Sequence, residues 1–208
     1  MSNIIKTNVF FLIGSSSSME CIKKETLKHF NEQIKIIKKS QKNNMETFVS
    51  VFTFNEKNKE IMFQKPISEV QDLSEKDYEN KGMTSVFDAI NSAIDKAELI
   101  NDNESSFLFC ILSDASDNSS SESIASVSKR IEYLQSTGSW TFTFIGANQD
   151  IDKSSVKLKI PRGNLLKYDS HSLGVNTMTE TQKKSIGYFF TARSYGTTST
   201  RGFYGTIK

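Results

Sequence analysis

Side chains with hydroxyl or carboxylate oxygens occur at three separate points of the chain. Each point lies just after an apolar segment or just before a helical pattern. The first group is a run of four serines, residues 15–18, and the later groups are a threonine and an aspartate. Hydroxyl and carboxylate oxygens are hard ligands that suit Mg²⁺ or Ca²⁺ and do not suit a soft metal. The predicted metal ligands are Ser16, Ser18, Thr84 and Asp114.

The segments in front of these groups are typical of buried strands. Residues 9–13 and 107–112 are continuous runs of β-branched and aromatic residues, the pattern of strands covered on both faces of a parallel sheet. The other predicted strands are residues 47–54, an antiparallel edge strand at 60–63 that ends near Pro66, residues 140–145 and a short strand at 165–168.

Helical patterns alternate with these strands. Apolar residues recur every three or four positions in residues 19–39, 86–97, 124–134 and 179–193. Thr84 or Ser85 is a candidate cap for the second helix, and Gly138 follows the third. Alternating strands and helices predict an α/β fold with a doubly wound, mainly parallel sheet and one antiparallel edge strand. Because such folds bind ligands at the carboxyl ends of their strands, we expect the predicted ligands to meet there.

Length and charge limit the classes of function. The chain has 208 residues, enough for one sizeable core, and we expect a single domain over residues 1–193. Residues 194–208 are rich in Gly and Thr without periodicity, and predict a flexible tail. With 26 basic and 24 acidic side chains, the chain shows no sign of a dedicated nucleic-acid or membrane surface.

Cellular location follows from weaker signals. Cys21 and Cys110 are the two cysteines, and their surroundings predict two reduced core thiols. The first residues lack a signal-peptide core, and no apolar run reaches membrane-spanning length. We therefore expect a cytoplasmic protein, or a virion protein if a phage encodes it.

The order of the predicted ligands resembles the metal-ion-dependent adhesion site of von Willebrand factor type A domains. That site has an Asp-x-Ser-x-Ser motif after the first strand, a Thr in a later loop and an Asp after the fourth strand. The matching segments here are Gly14-Ser15-Ser16-Ser17-Ser18, Gly82-Met83-Thr84 and Leu112-Ser113-Asp114. The resemblance covers residues 8–148. The segment from Ile145 to Asp150 is also similar to bacterial and phage versions of the domain.

One position departs from the motif. Gly14 stands where the family has an aspartate that helps to hold the metal's water shell and the serine loop. Without it the site keeps one matching carboxylate, Asp114, beside three neutral hydroxyls. Since affinity for divalent cations depends on ligand charge, the resemblance implies a weakened site for Mg²⁺ or Ca²⁺. A ligand's carboxylate, Asp117 or Glu20 are candidates to compensate.

Two other chemistries match parts of the sequence. Gly14 and Ser16 resemble part of a nucleophile elbow, and Asp114 or Asp169 with His171 would complete a Ser-Asp-His triad. However, Ser18 stands where the elbow has its second glycine. A dinucleotide-binding loop needs glycines where Ser16 and Met19 stand.

The sequence thus favours a protein-binding module for adhesion or scaffolding, and not an enzyme. Its recognition surface would be the carboxyl edge of the sheet. The resemblance implies that an acidic side chain of another protein would complete the coordination of any bound metal. The alternative is a structural subunit of a larger assembly, such as a phage particle, with the Gly/Thr-rich tail docking on a neighbour.

Overall fold

The fold is taken from a computed structural model that describes residues 4–102, 104–113, 117–147, 157–168 and 172–205. These ranges hold six strands. They are β1 (Ile5–Gly14), β2 (Met45–Phe54), β3 (Asn58–Pro66), β4 (Ser105–Ser113), β5 (Trp140–Ala147) and β6 (Leu165–Tyr168).

The strands form one sheet in the order β3-β2-β1-β4-β5-β6. Only β3 is antiparallel to its neighbour, β2, and it lies at the edge of the sheet. The pairs of β1 with β2 and β4, of β4 with β5 and of β5 with β6 are parallel. The predicted α/β class, the mainly parallel sheet and the antiparallel edge strand are confirmed.

Helices cover both faces of the sheet. The α-helices are α1 (Lys23–Lys39), α2 (Val86–Leu99), α3 (Ile124–Ser136) and α4 (Ser172–Arg193), and short 3-10 helices span Ser17–Ile22, Ile67–Glu69 and Arg162–Asn164. The predicted starts of two helices differ from the structure. The first helix begins as the 3-10 segment, and α4 begins seven residues before the predicted start. None of the helices in the described ranges has the length and hydropathy of a membrane span.

Side chains of β1 alternate between two apolar layers, as the period of a strand requires. Val9, Phe11 and Ile13 point into the layer under α1 and α4, whereas Phe10 and Leu12 point into the layer under α2 and α3. Both layers are formed by buried apolar side chains, which explains why the sequence of β1 is apolar at every one of these positions.

The prediction of two core thiols is half wrong. Cys110 is buried in β4, but Cys21 is exposed. Cys21 lies in the 3-10 helix, where Met19 and Ile22 take the inward positions. The tighter winding therefore turns the thiol outward.

The segment after α4 lies against the domain in its described part, residues 194–205. Thr200 N donates to Thr141 Oγ1 (3.0 Å), and Phe203 N donates to Asn164 Oδ1 (2.9 Å). Phe203 and Tyr204 are buried. The division into a domain of residues 1–193 and a flexible tail of residues 194–208 stays a prediction.

Candidate functional site at the carboxyl edge

The central strand β1 lies between β2 and β4. The chain runs from β1 to β2 and β3 on one side of it, and then crosses to β4 on its other side. The carboxyl end of such a strand opens into a crevice, which is the usual ligand position in open α/β sheets. The residue at that end is Gly14, and the serine loop (residues 15–18) follows it.

Backbone hydrogen bonds fix the serine loop on two sides. Ser15 N donates to Phe54 O at the end of β2 (2.6 Å). The segment before α2 holds the other side, because Lys81 N donates to Ser15 O (2.9 Å) and Ser17 N donates to Gly82 O (3.1 Å). The loop therefore has a defined position before any ligand binds.

The two predicted serine ligands lie together. Ser16 Oγ and Ser18 Oγ are 3.1 Å apart, within hydrogen-bonding distance. Ser16 is buried and Ser18 is exposed, so the pair joins a buried residue to one at the surface of the protein. Two oxygens at this spacing can face one ligand atom.

Thr84 is buried in the segment that supports the serine loop. Its backbone is bound to the loop after β4: Thr84 N donates to Asn118 Oδ1 (2.8 Å), and Thr84 O accepts from Asn118 N (3.0 Å). Hydrogen bonds therefore join the serine loop, the Thr84 segment and the loop after β4 into one surface.

The predicted carboxylate Asp114 lies outside the described residues. The residue before it, Ser113, ends β4 next to Gly14: a Cβ built on Gly14 would stand 3.4 Å from Ser113 Cα. The last described residue of β4 is thus at the same edge as the serine loop. The roles of Ser16, Ser18, Thr84 and Asp114 as metal ligands stay predictions.

Gly14 is closely packed against β4. A Cβ at this position would stand 3.2 Å from Leu112 O, so any side chain here requires a shift of a few tenths of an ångström. The Gly14 carbonyl accepts a hydrogen bond from the buried Tyr78 hydroxyl. The backbone at the first position of the motif is therefore held without the carboxylate.

Asp117 is used within the protein. Its carboxylate accepts from Phe87 N (3.1 Å) and from the backbone and hydroxyl of Ser120. It thus caps α2, the role expected of Thr84 or Ser85. Ser85, which does precede the helix, makes no side-chain cap and pairs with Ser119 instead (2.7 Å between hydroxyl oxygens).

The oxygen atoms of the described residues provide only some of the ligands that a divalent cation needs. Ser16, Ser18 and Thr84 supply neutral oxygens, and Asp117 is committed to the helix cap. Within the described ranges, no group of three or more His, Cys, Asp or Glu side chains is placed to hold a metal. Since carboxylate charge sets affinity for Mg²⁺ and Ca²⁺, such a site would bind weakly.

The hydrogen bonds of the described residues do not show a Ser-His pair at Ser16. The partner of the Ser16 hydroxyl is the Ser18 hydroxyl. His29 is buried in α1 and bonds to Thr179 Oγ1 (3.0 Å). The predicted triad partners His171 and Asp169 lie outside the described residues.

Sequence reasoning missed Asn118 and Tyr78. Asn118 follows a strand among serines, and its only signal is a side chain that can both donate and accept. Tyr78 lies in the polar connector before α2, where a single aromatic residue among charged neighbours is a signal for anchoring.

No family model matches the chain, and none of the curated proteins matches it in sequence. Solved structures do match in shape. Proximal thread matrix protein 1 from the mussel byssus superposes with a TM-score of 0.63 at 14% identity, over 89% of this chain and 46% of that one. The Plasmodium vivax TRAP protein gives 0.56 at 14% identity, over 85% and 71%. The chain has a von Willebrand factor type A fold.

Another structure similar to this von Willebrand A fold is a bacterial pilus adhesin. The pilus adhesin SpaC from Lactobacillus rhamnosus GG gives a TM-score of 0.69 at 10% identity, over 91% of this chain and 31% of that one. The chain spans less than half the length of the mussel protein and about a third of SpaC. The mussel structure has a zinc-occupied MIDAS motif, and the TRAP structure is loaded with manganese.

Proposed function

We propose that this protein is a binding module for another protein and that the carboxyl edge of its sheet is the recognition surface. The observation that supports the proposal is that hydrogen bonds connect three segments at this edge: the serine loop with the Ser16 and Ser18 hydroxyls, the Thr84 segment and the loop after β4. A surface that is ordered before binding loses little entropy when a partner docks. The similar adhesins and matrix protein support this class of function.

Exposed side chains at this edge suit a protein partner. Met83, between Gly82 and Thr84, is 49% exposed. An exposed methionine beside hydroxyls offers both apolar contact and hydrogen bonds, and methionine is enriched at protein interfaces. Because the described hydroxyls are neutral, a partner's Asp or Glu side chain would bind through hydrogen bonds from Ser16 and Ser18.

A divalent cation is the second part of the proposal. Ser16, Ser18, Thr84 and Asp114 would hold Mg²⁺ or Ca²⁺ weakly, and Gly14 is the reason for the weakness. When bound, the cation would accept a carboxylate oxygen from the partner. We propose no catalytic activity, and we place the protein in the cytoplasm or, if a phage encodes it, in the virion.

A subunit of a larger assembly, with the tail docking on a neighbour, is less favoured. The described tail residues already bind their own domain through Thr141 and Asn164. A tail engaged in this way would have to exchange these bonds to reach a neighbour.

The test is capture with edge variants. Met83→Lys and Ser18→Lys change exposed side chains at the proposed surface, and Leu99→Lys changes an 84% exposed residue at the far end of α2. A specific partner, purified and titrated by calorimetry, should bind the wild type and Leu99→Lys equally and bind the two edge variants at least tenfold more weakly. Equal binding by all four proteins contradicts the proposal. As a check on catalysis, Ser16→Ala should leave any background hydrolysis of simple esters unchanged.

A further inference from the structure

A second concave site lies between α4 and the segment that follows it. This cleft has a volume of about 370 Å³. The residues that line it include Ser185, Tyr188, Phe189, Tyr195, Gly202 and Phe203. The volume falls within the range of small-molecule pockets, roughly 300–1,000 Å³.

One polar group in the lining has no partner. Ser185 is 2% exposed, and its Oγ is buried without a hydrogen bond to any described residue. Buried hydroxyls in proteins are nearly always hydrogen-bonded, because they give up water on burial. Because Ser185 lines the cleft, a molecule bound there would supply the missing partner.

The rest of the lining defines what that molecule is like. Phe189 and Phe203 are buried aromatic walls, whereas Tyr188 and Tyr195 are 59% and 83% exposed at the mouth. Among the described residues, none that lines the cleft is charged. A charged ligand would lose its hydration there without compensation, so the cleft suits a neutral one.

We propose that this cleft binds a small neutral molecule with a flat apolar body and one hydrogen-bonding group, which pairs with the Ser185 hydroxyl. Aromatic walls stack on flat apolar groups, and a hydroxyl serves as donor or acceptor.

The cleft is separate from the carboxyl edge. The segment that forms one wall begins where Arg193 binds Thr7 Oγ1 (3.1 Å) and Lys6 O (3.0 Å), at the amino end of β1. It continues past Thr198, whose hydroxyl donates to Gly138 O before β5. Ligand binding in the cleft therefore does not depend on the proposed protein-binding function of the carboxyl edge.

The experiment titrates the full chain with indole and with 1-methylindole, followed by ligand-observed NMR. The two probes share a flat apolar body, but only indole has an N–H that can donate to Ser185 Oγ. Indole should bind saturably and about three- to tenfold more tightly than 1-methylindole, the range expected for one hydrogen bond. In Ser185→Ala the two probes should bind equally.

A filling variant and a matched control locate the binding. A Cβ at Gly202 meets no atom within 4 Å and Gly202 lines the cleft, so we expect Gly202→Leu to fold and its side chain to fill part of the cleft. Gly187 on α4 is equally open but outside the lining, and Gly187→Leu is the control. Indole binding should be lost in the first variant and kept in the second.

Three results overturn the proposal: no saturable binding of indole, equal binding of both probes to the wild type, or unchanged indole binding by folded Gly202→Leu. Circular dichroism checks the fold of each variant. If Gly202→Leu is unfolded, the comparison of the two probes on wild type and Ser185→Ala decides alone.

Discussion

Thr84 and Asn118 hold each other by two hydrogen bonds that run in opposite directions. Thr84 N donates to Asn118 Oδ1 (2.8 Å), and Asn118 N donates to Thr84 O (3.0 Å). One residue precedes α2 and the other follows β4, so this pair connects two loops that are 34 positions apart in the chain. The order of the carboxyl edge depends on such connections and not on a metal alone.

Replacing Asn118 by alanine should weaken the edge. Asn118→Ala leaves the backbone N–H of buried Thr84 without its acceptor, and we expect the free energy of unfolding to fall by about 1–2 kcal/mol. Asn118→Asp keeps an acceptor oxygen at the same place and should lose less than half as much. Urea denaturation measures both. An equal loss in the two variants would show that the hydrogen bond to Thr84 N is not what matters.

Tyr78 should stabilise the backbone at Gly14. Its hydroxyl is buried and donates to Gly14 O. Tyr78→Phe keeps the ring and removes the donor, so we expect a loss of about 1 kcal/mol in the free energy of unfolding. Tyr133, which is 67% exposed, supplies the matched control Tyr133→Phe with almost no expected change. The idea fails if the two substitutions have the same effect.

Protonation of His29 should make folding stability dependent on pH. Burial lowers the pKa of His29 from 6.5 to about 4; a hydrogen bond with the Gln182 side chain opposes this shift, and the positive charge of Lys183 adds to it. The unfolded chain therefore binds the proton more readily than the folded one. Stability is complete above about pH 6.5 and declines as the pH falls towards 4, by about 3 kcal/mol in all, since one pKa unit corresponds to about 1.4 kcal/mol.

Denaturation midpoints at several pH values between 7.5 and 4 measure this effect. His29→Gln keeps a polar side chain next to Thr179 but has no proton to gain in this range. Its stability should be nearly flat between pH 6.5 and 4.5. A wild-type profile as flat as that of the variant would refute the assignment of the pH dependence to His29.

Arg193 should anchor the segment after α4. Its buried guanidinium donates to Thr7 Oγ1, Lys6 O and Thr197 O, and burial lowers its pKa. Arg193→Met removes these three bonds. We expect about tenfold faster trypsin cleavage after the exposed Arg201, because proteolysis follows the population of the open form.

The matched control for this prediction is Arg130→Met. Arg130 pairs with Asp95 and Glu98 on α2, away from the tail. Its substitution should leave cleavage after Arg201 unchanged. Rapid cleavage in the wild type itself would instead support the sequence prediction of a flexible tail.

The sequence predicted the sheet because its strands are apolar on both faces. The side chains of residues 9–13 in β1 are buried among apolar neighbours on both faces of the sheet, and this leaves an unmistakable apolar run, although Thr7 and Asn8 earlier in the strand are buried polar residues. Helix starts were predicted less well. The 3-10 segment Ser17–Ile22 has the same apolar spacing as an α-helix over so short a length, which is why Cys21 was placed inside.

The sequence predicted only those site residues whose own side chains would contact a ligand. Ser16 and Ser18 were identified by type and spacing, and they do lie together. Asn118 and Tyr78 act on backbone groups far away in the chain, and local periodicity carries no information on such contacts. The cap of α2 was misassigned for the same reason, because Asp117 reaches it from another loop.

The proposed recognition surface at the carboxyl edge includes a metal cradle that would be weakened by the absence of one carboxylate at position 14. Gly14→Asp restores the carboxylate, and Gly14→Ala is the control because it adds the same Cβ against Leu112 O without the charge. Circular dichroism must first show that both variants fold.

Calorimetric titration of Mg²⁺, Ca²⁺ and Mn²⁺ into the wild type and both variants tests the claim most directly. The account predicts weak or no binding by the wild type and by Gly14→Ala, and clear saturable binding of at least one cation by Gly14→Asp. If folded Gly14→Asp binds none of the three cations, these loops are not a metal cradle.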